Sequence, residues 1–94
     1  MTAYVVIDSD IADEEGFQQY VDAVFPLLEK AGARNVLDDA TPLVLEGDWS
    51  WRRLVIHEFE SRQAVEDFWN SPEYAPLKEL RRRYSTVKVA VGGA

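Results

Sequence analysis

Ala3-Tyr4-Val5-Val6-Ile7 decides the fold, because it reads as a strand that is apolar on both faces. A strand with one wetted face alternates apolar and polar residues, and this one does not. Leu54-Val55-Ile56 and Val87-Lys88-Val89-Ala90-Val91 have the same character. Only two helical segments are available to cover such strands. A chain of 94 residues leaves nothing for the second face except another copy of itself.

Outward from that strand, Asp13 is a good N-cap for a helix predicted to run to about Ala31, with Gly32 placed to end it. Phe17, Tyr20, Val21, Val24, Phe25 and Leu28 fall on one helical face. Pro26 interrupts that pattern and removes one backbone donor, which predicts a kink near Asp22 rather than an end. Arg34–Leu37 and Pro42–Glu46 read as one bent or bulged strand, Gly47–Trp51 as a hairpin connection, and Arg53–Glu60 as the next strand. Ser61 caps a second helix carrying Val65, Phe68 and Trp69. Ser71 as a new N-cap and Pro72 at the first helical position restart it, with Leu77, Leu80 and Tyr84 following. Residues 85–91 form the last strand, and Gly92-Gly93-Ala94 a tail.

The order β-α-β-β-α-β predicts an α+β, ferredoxin-like domain over residues 1–94, with an antiparallel sheet and both helices on one face. About six aliphatic side chains left in water on the other face forfeit on the order of 10 kcal/mol. That is comparable to the whole stability of a small domain. The sequence therefore predicts a homodimer packed sheet against sheet.

Composition narrows the function classes. Hydrophobic residues make up 47% of the chain and aromatics 12%, too rich for a disordered segment. There is no cysteine, hence no disulfide framework and no thiolate metal site. The N-terminus shows no basic region and no apolar run of signal-peptide or membrane-spanning length. A cytoplasmic location and no membrane partner are the expectation. A net charge of −7 argues against nucleic acid, which needs a basic surface. The charge is uneven: residues 1–50 carry eleven acids and two bases, and residues 51–94 carry six acids and eight bases. Arg81, Arg82 and Arg83 suit the end of a helix, or form a patch for an anionic ligand.

Tyr4, Leu45-Glu46-Gly47-Asp48-Trp49, Glu58-Phe59 before a serine, and Trp69-Asn70-Ser71-Pro72-Glu73-Tyr74 followed by Leu77-Lys78 and Arg81 resemble the domain-of-unknown-function thirteen-thirty family. The likeness runs from about residue 3 to residue 92. It implies a ferredoxin-like subunit whose dimer forms an α/β barrel, with a cleft between sheet and helices. It implies no particular reaction. Wider relatives in that superfamily include cofactor-free monooxygenases, muconolactone isomerases and haem-binding enzymes. The chain departs from the family pattern in Ala31–Asp39, where many members carry a glycine-rich run, and at His57, a position usually aliphatic.

His57 is the only histidine, and so the one side chain that titrates near neutrality unperturbed. It shares a strand face with Val55 and Phe59. It is either a packed, hydrogen-bonded residue or a general base or haem ligand in the cleft; without a carboxylate partner at a fixed offset it makes no zinc site. Glu58 lies on the other face of the same strand, among aliphatics. There it either meets Arg52, Arg53 or Arg81, or sits at the cleft with a raised pKa. Glu46 is a similar case, and an acid–base pair of Glu46 and Glu58 is possible if the hairpin register gives them one face. Trp69, Tyr74 and Arg81 border the expected cavity and suit a planar carboxylate-bearing ligand. Trp49 sits in the hairpin turn and lines the mouth or covers the dimer edge. Tyr4 joins them as a candidate ligand-binding residue. No phosphate-binding glycine loop, serine–histidine–acid set or cysteine nucleophile is present, so no cofactor is expected. Two readings follow: a dimer that binds a small apolar or aromatic acid, with cofactor-free proton transfer or oxygenation, or a non-catalytic binding or structural dimer module.

Overall fold

A computed structural model describes residues 2–94. Its elements are β1 (Ala3–Ile11), α1 (Glu14–Lys30), β2 (Arg34–Asp39), β3 (Leu54–Phe59), α2 (Arg62–Trp69), α3 (Ala75–Tyr84) and β4 (Ser85–Gly93). The sheet is antiparallel, in the order β2-β3-β1-β4. With the helices on one side, this is the ferredoxin-like arrangement the sequence predicts, its second helix split in two.

Local chemistry sets the helix ends. The Asp13 side chain accepts the Gly16 N–H at 3.0 Å and starts α1. At its other end Gly32, at φ 75°, donates to the Glu29 carbonyl while Ala33 donates to that of Leu28, a Schellman closure. Pro26 lies inside α1 without ending it. Ser61 caps α2 by accepting from Ala64 N–H at 3.1 Å. Ser71 does not open a helix with Pro72. Its hydroxyl donates to the Phe68 carbonyl and accepts from Tyr74 N–H, holding a turn, and α3 begins at Ala75 with Pro76 in its first turn.

Two further expectations are corrected. Pro42–Glu46 forms no strand: β2 ends at Asp39, whose carboxylate takes the Thr41 N–H at 2.9 Å and turns the chain away. The bulge lies earlier, between Asn35 and Leu37, and residues 40–53 are one long irregular connection rather than a short hairpin turn. Gly92 and Gly93 are not a tail. They extend β4, paired with Tyr4 and Ala3. A side chain at Gly93, at φ 106°, would reach within 2.5 Å of the Thr2 carbonyl oxygen, so only glycine closes the strand there.

Alternation along the strands sorts the side chains into two layers. Ala3, Val5, Ile7 and Ser9 face the helices, as do Val55, His57 and Phe59. Tyr4, Val6 and Asp8, with Leu54, Ile56 and Glu58 across from them, face the other way. The buried core is lopsided. Ala3, Val5, Phe59 and Val65 form it, with Phe68 and Leu28 packed alongside. The backbone of α1 packs most closely on α3 rather than on a strand. Space is left between α1 and the sheet.

Candidate functional site

That space is a cavity of about 360 Å³. Its floor is Val5, Ile7, Ser9, Val55, His57 and Phe59 of the sheet, and α1 roofs it with Tyr20, Val21, Val24 and Leu28. Phe68, Trp69, Tyr74 and Arg81 close one side. Toward Ser9 the wall includes Glu14, Gln18, Asp38 and Arg53. The Arg53 Nε donates to Asp38 at 2.8 Å, and both side chains are partly exposed, so this ion pair stands where the cavity meets water. Most of the lining is apolar and its few polar groups converge, which is the usual make-up of a small-molecule site.

The most unusual of those groups is Arg81. It is only 6% exposed, in the middle of α3, and forms no ion pair among the described residues. One terminal N–H donates to the Tyr74 hydroxyl at 3.1 Å, and that hydroxyl is 2.9 Å from the hydroxyl of Tyr20. The Arg81 Nε has no hydrogen-bond partner among the described residues. The Trp69 ring lies 5.5 Å from the guanidinium carbon and 4.7 Å from Lys78 Nζ, so two cations lean on one indole. Aromatic contacts hold the group in place: Tyr74 is packed by Phe68 and Trp69 at centroid distances of 4.6 and 5.7 Å. A buried guanidinium is costly unless something anionic offsets it.

Burial, reinforced by the neighbouring Tyr74 hydroxyl, pushes the Tyr20 phenol far above its ordinary range, so it stays a neutral hydroxyl. On the floor, burial lowers the His57 pKa below 6.5, with the charge of Asp38 working weakly against it. The ring is therefore neutral at pH 7 and able to accept a proton. Its Nδ1 is buried without a hydrogen-bond partner among the described residues. The cavity thus holds an uncompensated cation on its side wall and a neutral imidazole on its floor.

Of the residues singled out from the sequence, His57, Trp69, Tyr74 and Arg81 lie together in the cavity wall. Glu58, Glu46, Tyr4 and Trp49 do not. Glu58 follows His57 in the strand and so points to the opposite face, where its carboxylate takes Arg34 at 3.2 Å rather than Arg52, Arg53 or Arg81. Tyr4 is on that face too, directly across from Glu58. Glu46 belongs to the irregular connection, outside any strand, and shares no face with Glu58. Trp49 is 62% exposed and stacks on Trp51 at 5.2 Å between ring centroids. Tyr20 went unnoticed as a polar group because it sits in the apolar stripe of α1. An inward-facing phenol needs a partner when buried, and that was the available signal. No cluster of three or more His, Asp or Glu among the described residues could hold a metal ion, and no helix of the structure is long and apolar enough to cross a membrane.

Comparison with known proteins places this geometry. No curated protein matches the chain. Among solved structures, a protein of unknown function from Rhodopseudomonas palustris is similar at 17% identity and a TM-score of 0.79, over 99% of this chain and 82% of that one. SnoaB, a cofactor-independent oxygenase from Streptomyces nogalater, is similar at 15% identity and a TM-score of 0.72, over 99% and 92%. A dimeric ferredoxin-like protein of unknown function from a Jannaschia species is similar at 9% identity and a TM-score of 0.67, over the full length of both chains. At these identities the likeness is one of fold. The family model for the domain of unknown function DUF1330 matches residues 2–93, and the chain belongs to that family.

Proposed function

We propose that this protein is a homodimer whose cavity binds a small apolar or aromatic acid, with cofactor-free proton transfer or oxygenation at His57. The observation that carries the reading is Arg81: a fully charged side chain, buried in an apolar cavity, with one N–H unsatisfied and no carboxylate beside it. The anion of a bound acid supplies the missing partner, and Trp69 and Phe68 supply flat apolar walls for its ring. At about 30 Å³ per water in the liquid, the cavity volume corresponds to roughly a dozen waters. A ligand of similar heavy-atom count, one substituted ring or a fused pair, fits that space.

Proton transfer is assigned to His57 alone, because it is neutral and lines the cavity. The resemblance in fold to a cofactor-independent oxygenase is compatible with such chemistry. The dimeric relative supports pairing of subunits, as does the apolar sheet face turned away from the helices. That same face favours the second reading, a structural dimer module whose cavity takes no part.

A thermal-shift screen of aromatic carboxylic acids, followed by calorimetry, separates the two. At least one acid is expected to bind the parent protein, and to bind Arg81→Gln more than about tenfold more weakly, the loss of one charge-assisted hydrogen bond. Glu79→Gln, on the same helix but exposed and paired with Arg82, serves as the control that leaves binding unchanged. A flat screen, with Arg81→Gln altered only in stability, would leave the structural module standing.

A further inference from the structure

We propose that the acid bound in this cavity carries a second polar group, an ionisable hydroxyl that pairs with His57 Nδ1, so that the preferred ligands are hydroxyaryl or enolic carboxylic acids. This rests on the anion reading of Arg81 and adds a second pole to it. Buried polar atoms without partners are uncommon in folded proteins, and each one calls for an explanation. Here the two such side-chain atoms found among the described residues, Arg81 Nε and His57 Nδ1, belong to residues lining one and the same cavity.

Their chemistry differs in kind. Arg81 is donor-only and cationic, so it calls for an anionic oxygen. The imidazole is neutral, because burial disfavours its charged form. A neutral ring nitrogen is either a donor or an acceptor depending on the tautomer, and a hydroxyl can meet it in both states. A second carboxylate cannot: it would demand a protonated ring, and a second charge, in a wall made of Val5, Val55 and Phe59. Asn35, the cross-strand neighbour of His57, is no substitute partner. Its amide is turned to the backbone carbonyls of Leu37 and Ile56. Between the poles the lining is aliphatic and aromatic, which suits an apolar scaffold rather than a sugar or a polyol. A hydroxyl hydrogen-bonded to a neutral imidazole can also lose its proton to it, giving the phenolate or enolate that proton-transfer chemistry begins from.

Calorimetry with 2-naphthoate and its ring-hydroxylated isomers tests the second pole. At least one isomer should bind the parent protein about tenfold more tightly than 2-naphthoate, the worth of one added buried hydrogen bond. That gain should vanish in His57→Phe, while both ligands should weaken together in Arg81→Gln. The methyl ether of the best isomer should also lose the gain, a comparison that needs no variant to fold. If no isomer beats 2-naphthoate, or if the gain survives His57→Phe or methylation, the second pole is wrong and the anion reading stands on the Arg81-dependent binding of 2-naphthoate. If no naphthoate binds at all, both readings fall together.

Discussion

Arg81 and His57 are adjacent in no sense along the chain, yet each is odd for the same reason: a polar group kept dry with its hydrogen bonding incomplete. For His57 the oddity has a measurable consequence for stability. Its folded-state pKa lies below the unfolded value near 6.5, because burial penalises the imidazolium. Between those two values the unfolded chain binds the proton that the folded one refuses. Stability from this residue is therefore complete above about pH 6.5, and falls as pH drops through 6.5 toward the folded pKa. Denaturant midpoints of the parent and His57→Gln, measured from pH 8 to pH 5, should keep a constant difference above pH 7, and the parent should lose ground below it. Parallel curves over the whole range would mean that the imidazole is not desolvated. Both residues were legible as candidates from sequence, since a lone histidine among aliphatics and an arginine beside aromatics are chemically conspicuous. Alternation had also set Glu58 on the face opposite His57. Which arginine it meets depended on strand pairing, and β2 brought Arg34.

At the scale of elements, the cavity exists because α1 leans on α3 instead of lying on the strands. Gly16 is where the two helices touch, and a Cβ built there runs into the ring of Tyr84. In an exposed helix, replacing glycine with alanine stabilises by about 0.5–1 kcal/mol. Here Gly16→Ala should instead cost about 1–3 kcal/mol, as overpacking does when a ring must move. Chemical denaturation checks the sign, and a more stable variant would mean that the helices are not in close contact at this point. Sequence patterning found α1, its cap and its end, because capping and periodicity are local. It misjudged the stretch from Asp38 to Arg53 because extended residues without a partner strand look the same as a strand. Pro42–Glu46 has β-compatible residues, but the edge is already closed by the turn at Asp39. The split of the second helix was legible in Ser71-Pro72, although the actual first turn forms three residues later, where Pro76 takes the position that needs no N–H.

At the scale of the whole molecule, the face turned away from the helices has a definite layout. Leu37, Ile56, Val6 and Ala90 form an unbroken apolar row across all four strands. On one side it is bordered by Arg34, Glu58 and Tyr4, and on the other by Asp39, Leu54, Asp8 and Lys88. An apolar band with a charged rim is how a protein interface is commonly composed. It is also what the doubly apolar strands of the sequence required, since one helix layer covers one face only. If a second copy packs on this row, Ile56 lies near the centre of the contact, on a central strand. Ile56→Asp would then bring two carboxylates into the interface of each dimer, with no cation opposite them in the row. An unpaired buried charge is costly enough to weaken association at least ~100-fold. Light scattering at micromolar concentration should therefore give twice the chain mass for the parent and the single-chain mass for Ile56→Asp. Because Ile56 points away from the cavity, a folded monomeric variant also reports whether ligand binding needs the partner. Binding that survives would assign the whole site to one chain, and binding lost along with the dimer would mean that the sheet must be backed for the cavity to keep its shape. A parent protein that scatters as a single chain would leave the apolar row without a cover, and would remove the reason for its composition.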